Sequence, residues 1–382
     1  MIAGITSIDF SKTFDLFDCT NYLKITNIQT HHSYLKLDAG SKFILYQRQT
    51  TVLEGFFVKL CKGDTVAFFS PSIQATYLYE DRFNRAYDYL ASKGFKLKPG
   101  LLTGKSDFYR SGTIEDRANE LNSLIRDPEV KCIISTIGGS NSSSLLPYLD
   151  YEAIKKTPKI FVGYSDVTTI LLAIYNKTGV KTFYGPALVA SLGEFEPLVS
   201  QTFDSFLEVV NCSFDTPHRY SIPPEWTDEF IDWKIQTGPK SLCPNKWIFL
   251  GDSVIEGRVI GGNLSAISAI WGTTYMPTIS KGDILLIEDS NKSIDIVERL
   301  FSLLRLSDVF DHISAIILGK HEQFDDRESE RKPIDVLLEV IAGYDIPIIY
   351  DFDCCHTHPM LTIPIGSRIR IDFNQEFVEL IG

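Results

Sequence analysis

Cys132-Ile133-Ile134-Ser135-Thr136-Ile137-Gly138-Gly139-Ser140-Asn141-Ser142-Ser143-Ser144 is the stretch on which the reading of this chain turns. A short apolar run leads directly into a turn of small residues, and Leu145-Leu146 opens a new apolar face beyond it. Such a unit belongs to a parallel sheet flanked by helices. Working outward, the same alternation recurs. Upstream, TVAFF at 65–69 reads as a buried strand, and Phe83, Ala86, Tyr87, Leu90 and Ala91 form one helical face before Gly94. A second helix opens at Thr113 with a capping-box pattern, its stripe carried by Ile114, Ala118, Leu121 and Ile125. Downstream, Ile160-Phe161-Val162 is a strand and 166–177 a helix stopped by Gly179. The spacing predicts an α/β domain with a parallel sheet over 63–210.

Residues 211–246 break this rhythm with Pro217, Pro223, Pro224, Pro239 and Pro244 and with Trp226 and Trp233, the composition of a lid loop. Regular patterning resumes near Trp247, giving strands at 284–287, 315–318, 346–350, 368–372 and 377–381 and a helix over 293–306, so 247–382 reads as a second, β-rich α/β domain. Residues 1–62 show no sustained period and read as an N-terminal extension, with a strand or two or a mobile arm.

The chain has 382 residues, enough for two domains. Lys plus Arg total 37 against 49 Asp plus Glu, a net charge of -12, which argues against a nucleic-acid polymer and against an anionic membrane surface as partner. There is no run of about 18 apolar residues for a membrane span and no signal-peptide pattern at the start. Seven cysteines without a CxxC pair fit a reduced, cytoplasmic protein.

Three constellations carry chemistry, each directly after an apolar strand. The first is the turn Gly138–Ser144, where a serine would be exposed beside helix N–H groups able to hold an oxyanion; a polar helix start or a phosphate cradle is the plainer reading. The second is Ile287-Glu288-Asp289, an acid at a strand end. The third is Asp351-Phe352-Asp353-Cys354-Cys355-His356-Thr357-His358-Pro359. It admits a histidine base, a metal site on the His356-x-His358 pair, or a Cys355 nucleophile. No further His or Cys cluster in the sequence supplies the remaining metal ligands. Taken together, serine, acid and histidine follow in the chain order of α/β hydrolases, with His356 as base for Ser142 and Glu288 orienting the imidazole.

Gly138-Gly139-Ser140-Asn141-Ser142, Gly163-Tyr164-Ser165-Asp166, Phe183-Tyr184-Gly185-Pro186, Gly261-Gly262-Asn263-Leu264, Leu286-Ile287-Glu288-Asp289 and His356-Thr357-His358-Pro359 resemble, jointly and in order, the LD-carboxypeptidase family of serine peptidases. Asp107–Thr113 and Glu225–Glu229 resemble its microcin C self-immunity branch. The resemblance spans about 62–382. It implies a Rossmann-like N-terminal domain, a β-rich C-terminal domain, an active site in the groove between them, a Ser–Glu–His triad without metal or other cofactor, and a homodimer. Its motifs are assigned here to Ser142, Glu288 and His356, with backbone N–H groups of Gly139 and Ser143 as the oxyanion hole. The substrate implied is a small acidic aminoacyl-nucleotide, as in microcin C detoxification, or the L–D bond of a murein tetrapeptide. A non-catalytic ligand-binding protein and a metal hydrolase using His356 and His358 are the rival classes.

Other residues carry two readings each. Asp166 lines the pocket or caps a helix, and Asn263 binds substrate or caps the helix after it. Trp226 and Trp233 stack on a nucleobase or anchor their loop. Lys320 and Arg110 meet a substrate carboxylate or lie on the surface, and His358 fixes the loop beside His356. The chain departs from the family in Cys355, which stands where glycine usually precedes the histidine, and in the uncovered extension.

Overall fold

The computed structural model describes residues 33–37, 43–47, 58–212, 216–354 and 356–382. The chain divides into two compact units, Met1–Phe56 and Phe57–Gly382. In the first, Ser33–Leu37 and Phe43–Gln47 pair antiparallel with Ser33 opposite Gln47. The remainder of that unit, including the arm expected there, lies outside the described residues. In the second unit Leu60 is buried and its N–H donates to Asn211 Oδ1, so this unit takes up the chain before Gly63.

The second unit is built on two sheets. The first runs in the order Lys96–Pro99, Thr65–Phe69, Val130–Ser135, Ile160–Gly163, Thr182–Tyr184 and Ile363–Ile365. Its first five strands are parallel, and the last joins antiparallel with Ile363 opposite Tyr184. Valine, isoleucine and phenylalanine dominate the inner strands, which are covered on both faces, whereas the edge strand Lys96–Pro99 keeps its lysines. Residues 363–365 come from the C-terminal part of the chain, so the sheet of one half is completed by the other.

The second sheet has eight strands, in the order Ile248–Leu250, Ile348–Phe352, Ile313–Gly319, Asp283–Glu288, Val254–Asn263, Arg368–Asp372, Phe377–Leu380 and His218–Arg219. The four strands from Ile348–Phe352 to Val254–Asn263 are parallel. The mixed α/β architecture with two parallel-rich sheets is the one the sequence predicts.

Helix Ile114–Arg126 starts at the predicted capping box, Thr113 accepting from Asp116 N. Helix Thr168–Thr178 ends at Gly179, whose φ of 75° suits a left-handed cap. Two predicted helices differ. The segment after the glycine turn is a 3-10 helix, Ser142–Tyr148, because Pro147 has no N–H for an α-helical bond. The helix predicted from 166 begins with the 3-10 turn Ser165–Val167. The stretch 211–246 is tied down at several points. Glu225–Trp226 pairs with Cys243–Pro244, Thr227 bridges His358, and Gln236 and Lys240 are buried.

Parallel strands place their following loops at one edge, where α/β sites collect. Ser70–Gln74, Gly138–Asn141 and Tyr164–Asp166 all follow strands of the first sheet. Glu288, Lys320–Glu322 and Asp353–His358 follow strands of the second.

Candidate active site

His356 is the centre of the site. Its Nδ1 lies 2.8 Å from Glu288 Oε2 and its Nε2 lies 2.9 Å from Ser165 Oγ. Tyr164 meets the imidazole edge-on at 4.9 Å between ring centres. The hydroxyl, imidazole and carboxylate thus form one hydrogen-bonded line, the geometry in which a histidine takes a proton from a serine while an acid fixes its tautomer. Ser165 stands immediately after the strand Ile160–Gly163 and Tyr164, with a φ of 62°. A non-glycine residue held there costs roughly 1–3 kcal/mol. The sharp turn lifts its side chain off the sheet edge, as in the nucleophile elbow of α/β hydrolases.

Glu288 is the last residue of its strand and fully buried. Its Oε1 accepts from Tyr184 Oη at 2.5 Å and from Asn263 Nδ2 at 3.1 Å. Burial pushes its carboxyl up, but the His356 charge and the hydrogen bonds from His356, Tyr184 and Asn263 outweigh this and hold it below the usual carboxylate range.

Ser142, expected against His356, is not there. Its side chain is fully buried and its Oγ donates to Asp166 Oδ2 at 2.7 Å. The same carboxylate oxygen accepts from the N–H groups of Asn141 and Ser142, each at 2.9 Å. A hydroxyl that donates to a carboxylate inside a closed turn has no imidazole to take its proton. The Asp166 side chain makes no cap bond to its own helix; it holds the glycine turn instead. The expected oxyanion donor Ser143 was tied to Ser142; the residue after Ser165 is Asp166.

The glycine turn itself does border Ser165. A Cβ on Gly138 would sit 2.9 Å from Ser165 Cβ and 3.1 Å from both Ser165 Oγ and Asp166 N. One on Gly139, whose φ is 149°, would lie 2.1 Å from Ser72 Oγ. Only glycine leaves that space open and adopts that backbone.

Asn263 caps helix Leu264–Ile270 by accepting from Ala266 N, so the cap reading holds, and its Nδ2 serves Glu288 and Asp289. Trp226 and Trp233 are both half-buried. The Lys320 ammonium lies 5.0 Å from the Trp226 ring, and the Arg82 guanidinium lies 4.4 Å from the Trp233 ring, which also meets Tyr79 edge-on. Lys320 is buried and bonded to Asp353 Oδ1 and Asp351 O. Arg110 pairs with Asp107 at 2.8 Å. His358 exchanges backbone bonds with Thr227, and burial pushes its imidazole down to about 3, with Lys240 and Arg82 adding to the effect. Among the described residues no three His, Cys, Asp or Glu side chains are placed to hold a metal ion. Cys355 lies outside the described residues.

Sequence reasoning took Ser165 only as a residue that, with Asp166, could line the pocket, and it missed both its contact with His356 and the role of Tyr184. The signal for Ser165 was Gly163-Tyr164-Ser165, a Gly-x-Ser at the end of a fully apolar strand and ahead of a helix. Tyr184 lay in the quoted motif Phe183-Tyr184-Gly185-Pro186, but an apolar strand-end tyrosine reads as core, so no role was drawn from it.

Comparison with known proteins agrees on one family. The LD-carboxypeptidase N-terminal domain matches residues 66–185 and the C-terminal domain residues 256–371. A putative carboxypeptidase of Vibrio cholerae is 56% identical over 83% of this chain and 95% of its own length. The microcin C7 self-immunity protein MccF of Escherichia coli is 53% identical over 84% of this chain and 94% of its own length. The structure of MccF superposes with a TM-score of 0.83 over 84% of this chain and 97% of the MccF chain. MccF has been solved in complex with aspartyl sulfamoyl adenosine and with glutamyl sulfamoyl guanosine, and a tryptophan-to-phenylalanine mutant with adenosine monophosphate. A probable murein peptide carboxypeptidase of Bacillus subtilis is 26% identical over 82% of this chain and 90% of its own length. Two domain matches in sequence order, on a fold with an α/β-hydrolase-like elbow, establish that this chain belongs to the LD-carboxypeptidase family of serine peptidases.

Proposed function

We propose that Ser165, His356 and Glu288 are the catalytic triad of an amide hydrolase acting on acidic aminoacyl-nucleotides. One observation carries the assignment: the imidazole of His356 bridges Ser165 Oγ at 2.9 Å and Glu288 Oε2 at 2.8 Å. In the first step Ser165 Oγ attacks the substrate carbonyl as its proton passes to His356 Nε2, and Glu288 stabilises the imidazolium. The developing oxyanion meets the N–H of Asp166 in the space that Gly138 leaves open, with Gly139 N–H as the second donor. Collapse expels the amide nitrogen, which takes the proton from His356 and leaves an ester on Ser165. A water molecule then gives its proton to His356 as it attacks the ester, and the breaking bond returns that proton from His356 to Ser165 Oγ and releases the free acid.

The substrate class is supported by the 53% identity to MccF, whose complexes hold aspartyl and glutamyl sulfamoyl nucleosides. Two half-buried tryptophans in the 211–246 loop fit a substrate with a nucleobase. Murein tetrapeptide is the second reading, supported by the more distant murein peptide relative. The deciding experiment measures kcat/KM for aspartyl sulfamoyl adenosine and for a murein tetrapeptide side by side. The proposal expects the nucleotide to be the better substrate, and cleavage of the tetrapeptide alone would overturn it. The net charge of -12 places the burden of binding an acidic substrate on local groups of the cleft rather than on the field of the whole molecule.

A further inference from the structure

Tyr184 ends a strand of the six-stranded sheet and is fully buried. Its hydroxyl donates to Glu288 Oε1 at 2.5 Å and accepts from the backbone N–H of Ser165 at 3.4 Å. Glu288 belongs to the eight-stranded sheet, whereas Ser165 follows a strand of the six-stranded one. A single phenol therefore touches both ends of the Ser165–His356–Glu288 line and joins the two sheets at that point. Tyr184 does not reach the reacting atoms, and packing alone would be served equally by phenylalanine. We propose that Tyr184 is a positioning residue. It holds Glu288 Oε2 toward His356 across the two sheets and ties the backbone of Ser165 to the neighbouring strand of its own sheet. The inference rests on the triad assigned above.

The chemistry gives a directional signature. A carboxylate that donates part of its charge to a second hydrogen bond has less to offer an imidazolium. Tyr184→Phe leaves Asn263 as the remaining donor to Oε1, so Glu288 holds protonated His356 more tightly. The acid limb of the rate profile then moves to higher pH. The other ionisable groups around the pair, Asp289, His321 and Glu322 on the eight-stranded side and Tyr164 and Cys354 beside the rings, are unchanged by this substitution.

The test reads the pH dependence of two reactions in wild type and Tyr184→Phe. One is hydrolysis of aspartyl sulfamoyl adenosine, and the other is inactivation by a fluorophosphonate, which reports serine reactivity whatever the natural substrate. Loss of a hydrogen bond to a charged group predicts kcat lower by about tenfold or more. KM stays within about twofold, as for an interaction made in the transition state. The acid limb should rise by about half a pH unit in both reactions. In a Glu288→Gln background, adding Tyr184→Phe should cost several-fold less than in wild type, the remainder being the bond to the Ser165 N–H. A limb that stays in place, or an equal loss in the Glu288→Gln background, would show a merely structural role and overturn the inference. Should Tyr184→Phe fail to fold, 3-fluorotyrosine at 184 keeps the ring and strengthens the donor, and the limb must then move to lower pH. Wild type labelled by the fluorophosphonate but inert toward the nucleotide refutes the substrate assignment and leaves this test intact.

Discussion

Replacing the two candidate serines separately gives opposite outcomes that can be worked from their partners. Ser165→Ala removes the hydroxyl that lies 2.9 Å from His356 Nε2. In serine hydrolases such a loss costs on the order of 10⁶-fold in kcat. Ser142→Ala removes one donor from Asp166 Oδ2, which keeps the N–H groups of Asn141 and Ser142. The carboxylate is not orphaned, so the cost is that of one hydrogen bond to a charged group, about 1.5–3 kcal/mol. For a unit of this size that lowers Tm by a few degrees. Because Asp166 also supplies the proposed oxyanion N–H, a slightly looser turn should reduce kcat by no more than about tenfold. The assay is kcat/KM on aspartyl sulfamoyl adenosine with thermal melts of each variant, and mass mapping of the fluorophosphonate adduct. An adduct on Ser142, or an inactive Ser142→Ala with a native melt beside an active Ser165→Ala, would refute the reasoning.

Two further outcomes follow from the cluster behind the site. Arg82 and Glu194 are fully buried and paired at 2.9 Å. Arg82→Met leaves Glu194 with Lys240 at 3.8 Å and the Gln236 amide as its remaining partners, so the loss in urea unfolding at pH 7 should approach but not exceed about 3–5 kcal/mol. Burial pushes Glu194 up, yet the Arg82 guanidinium holds it down to about 2. Its folded value thus lies below the ordinary carboxylate value, so its contribution is complete above about pH 4.5 and disappears as the pH falls toward 2. Unfolding midpoints of wild type should fall across that window, and Arg82→Met should be flatter there; parallel curves would contradict the pairing. Trp226→Ala and Trp233→Ala test the aromatic loop. Stacking of a base is worth about 1–3 kcal/mol, so at least one should raise KM for the nucleotide by roughly 5- to 150-fold, and unchanged KM in both would remove the nucleobase role.

The fold was legible where a local pattern had one physical solution. Apolar runs such as TVAFF and ILLI can only be strands covered on both faces, and Thr113 with Asp116 marks a helix start that the structure reproduces. What the pattern could not carry was long-range pairing. Nothing in Ile363–Ile365 announces that it will pair with Thr182–Tyr184 rather than with its own sheet, because a three-residue strand has no register of its own to read. The same applies to Lys320. A lysine after an apolar strand reads as a surface group, and its burial depends on Asp353, 33 residues away.

The site shows the same division more sharply. Glu288 and His356, each ambiguous by itself, were singled out together because their motifs joined the family resemblance in order, and the structure brings their side chains within 2.8 Å. The serine was misassigned because a glycine-rich turn was read as the place where a nucleophile is exposed. The structure gives the glycines a different task. Gly138 keeps a side chain away from Ser165 Oγ and Asp166 N, which is what an oxyanion pocket requires, and Gly139 lets the turn pack against Ser72. A nucleophile needs a strained single residue at a strand end, and the φ of 62° at Ser165 is that feature. The two turns are then complementary, since Asp166 binds the 141–142 backbone through its side chain and fixes the empty space against the hydroxyl. A glycine cluster and a Gly-x-Ser following successive strands of one parallel sheet should therefore be read as a pair, with the serine taken from the second.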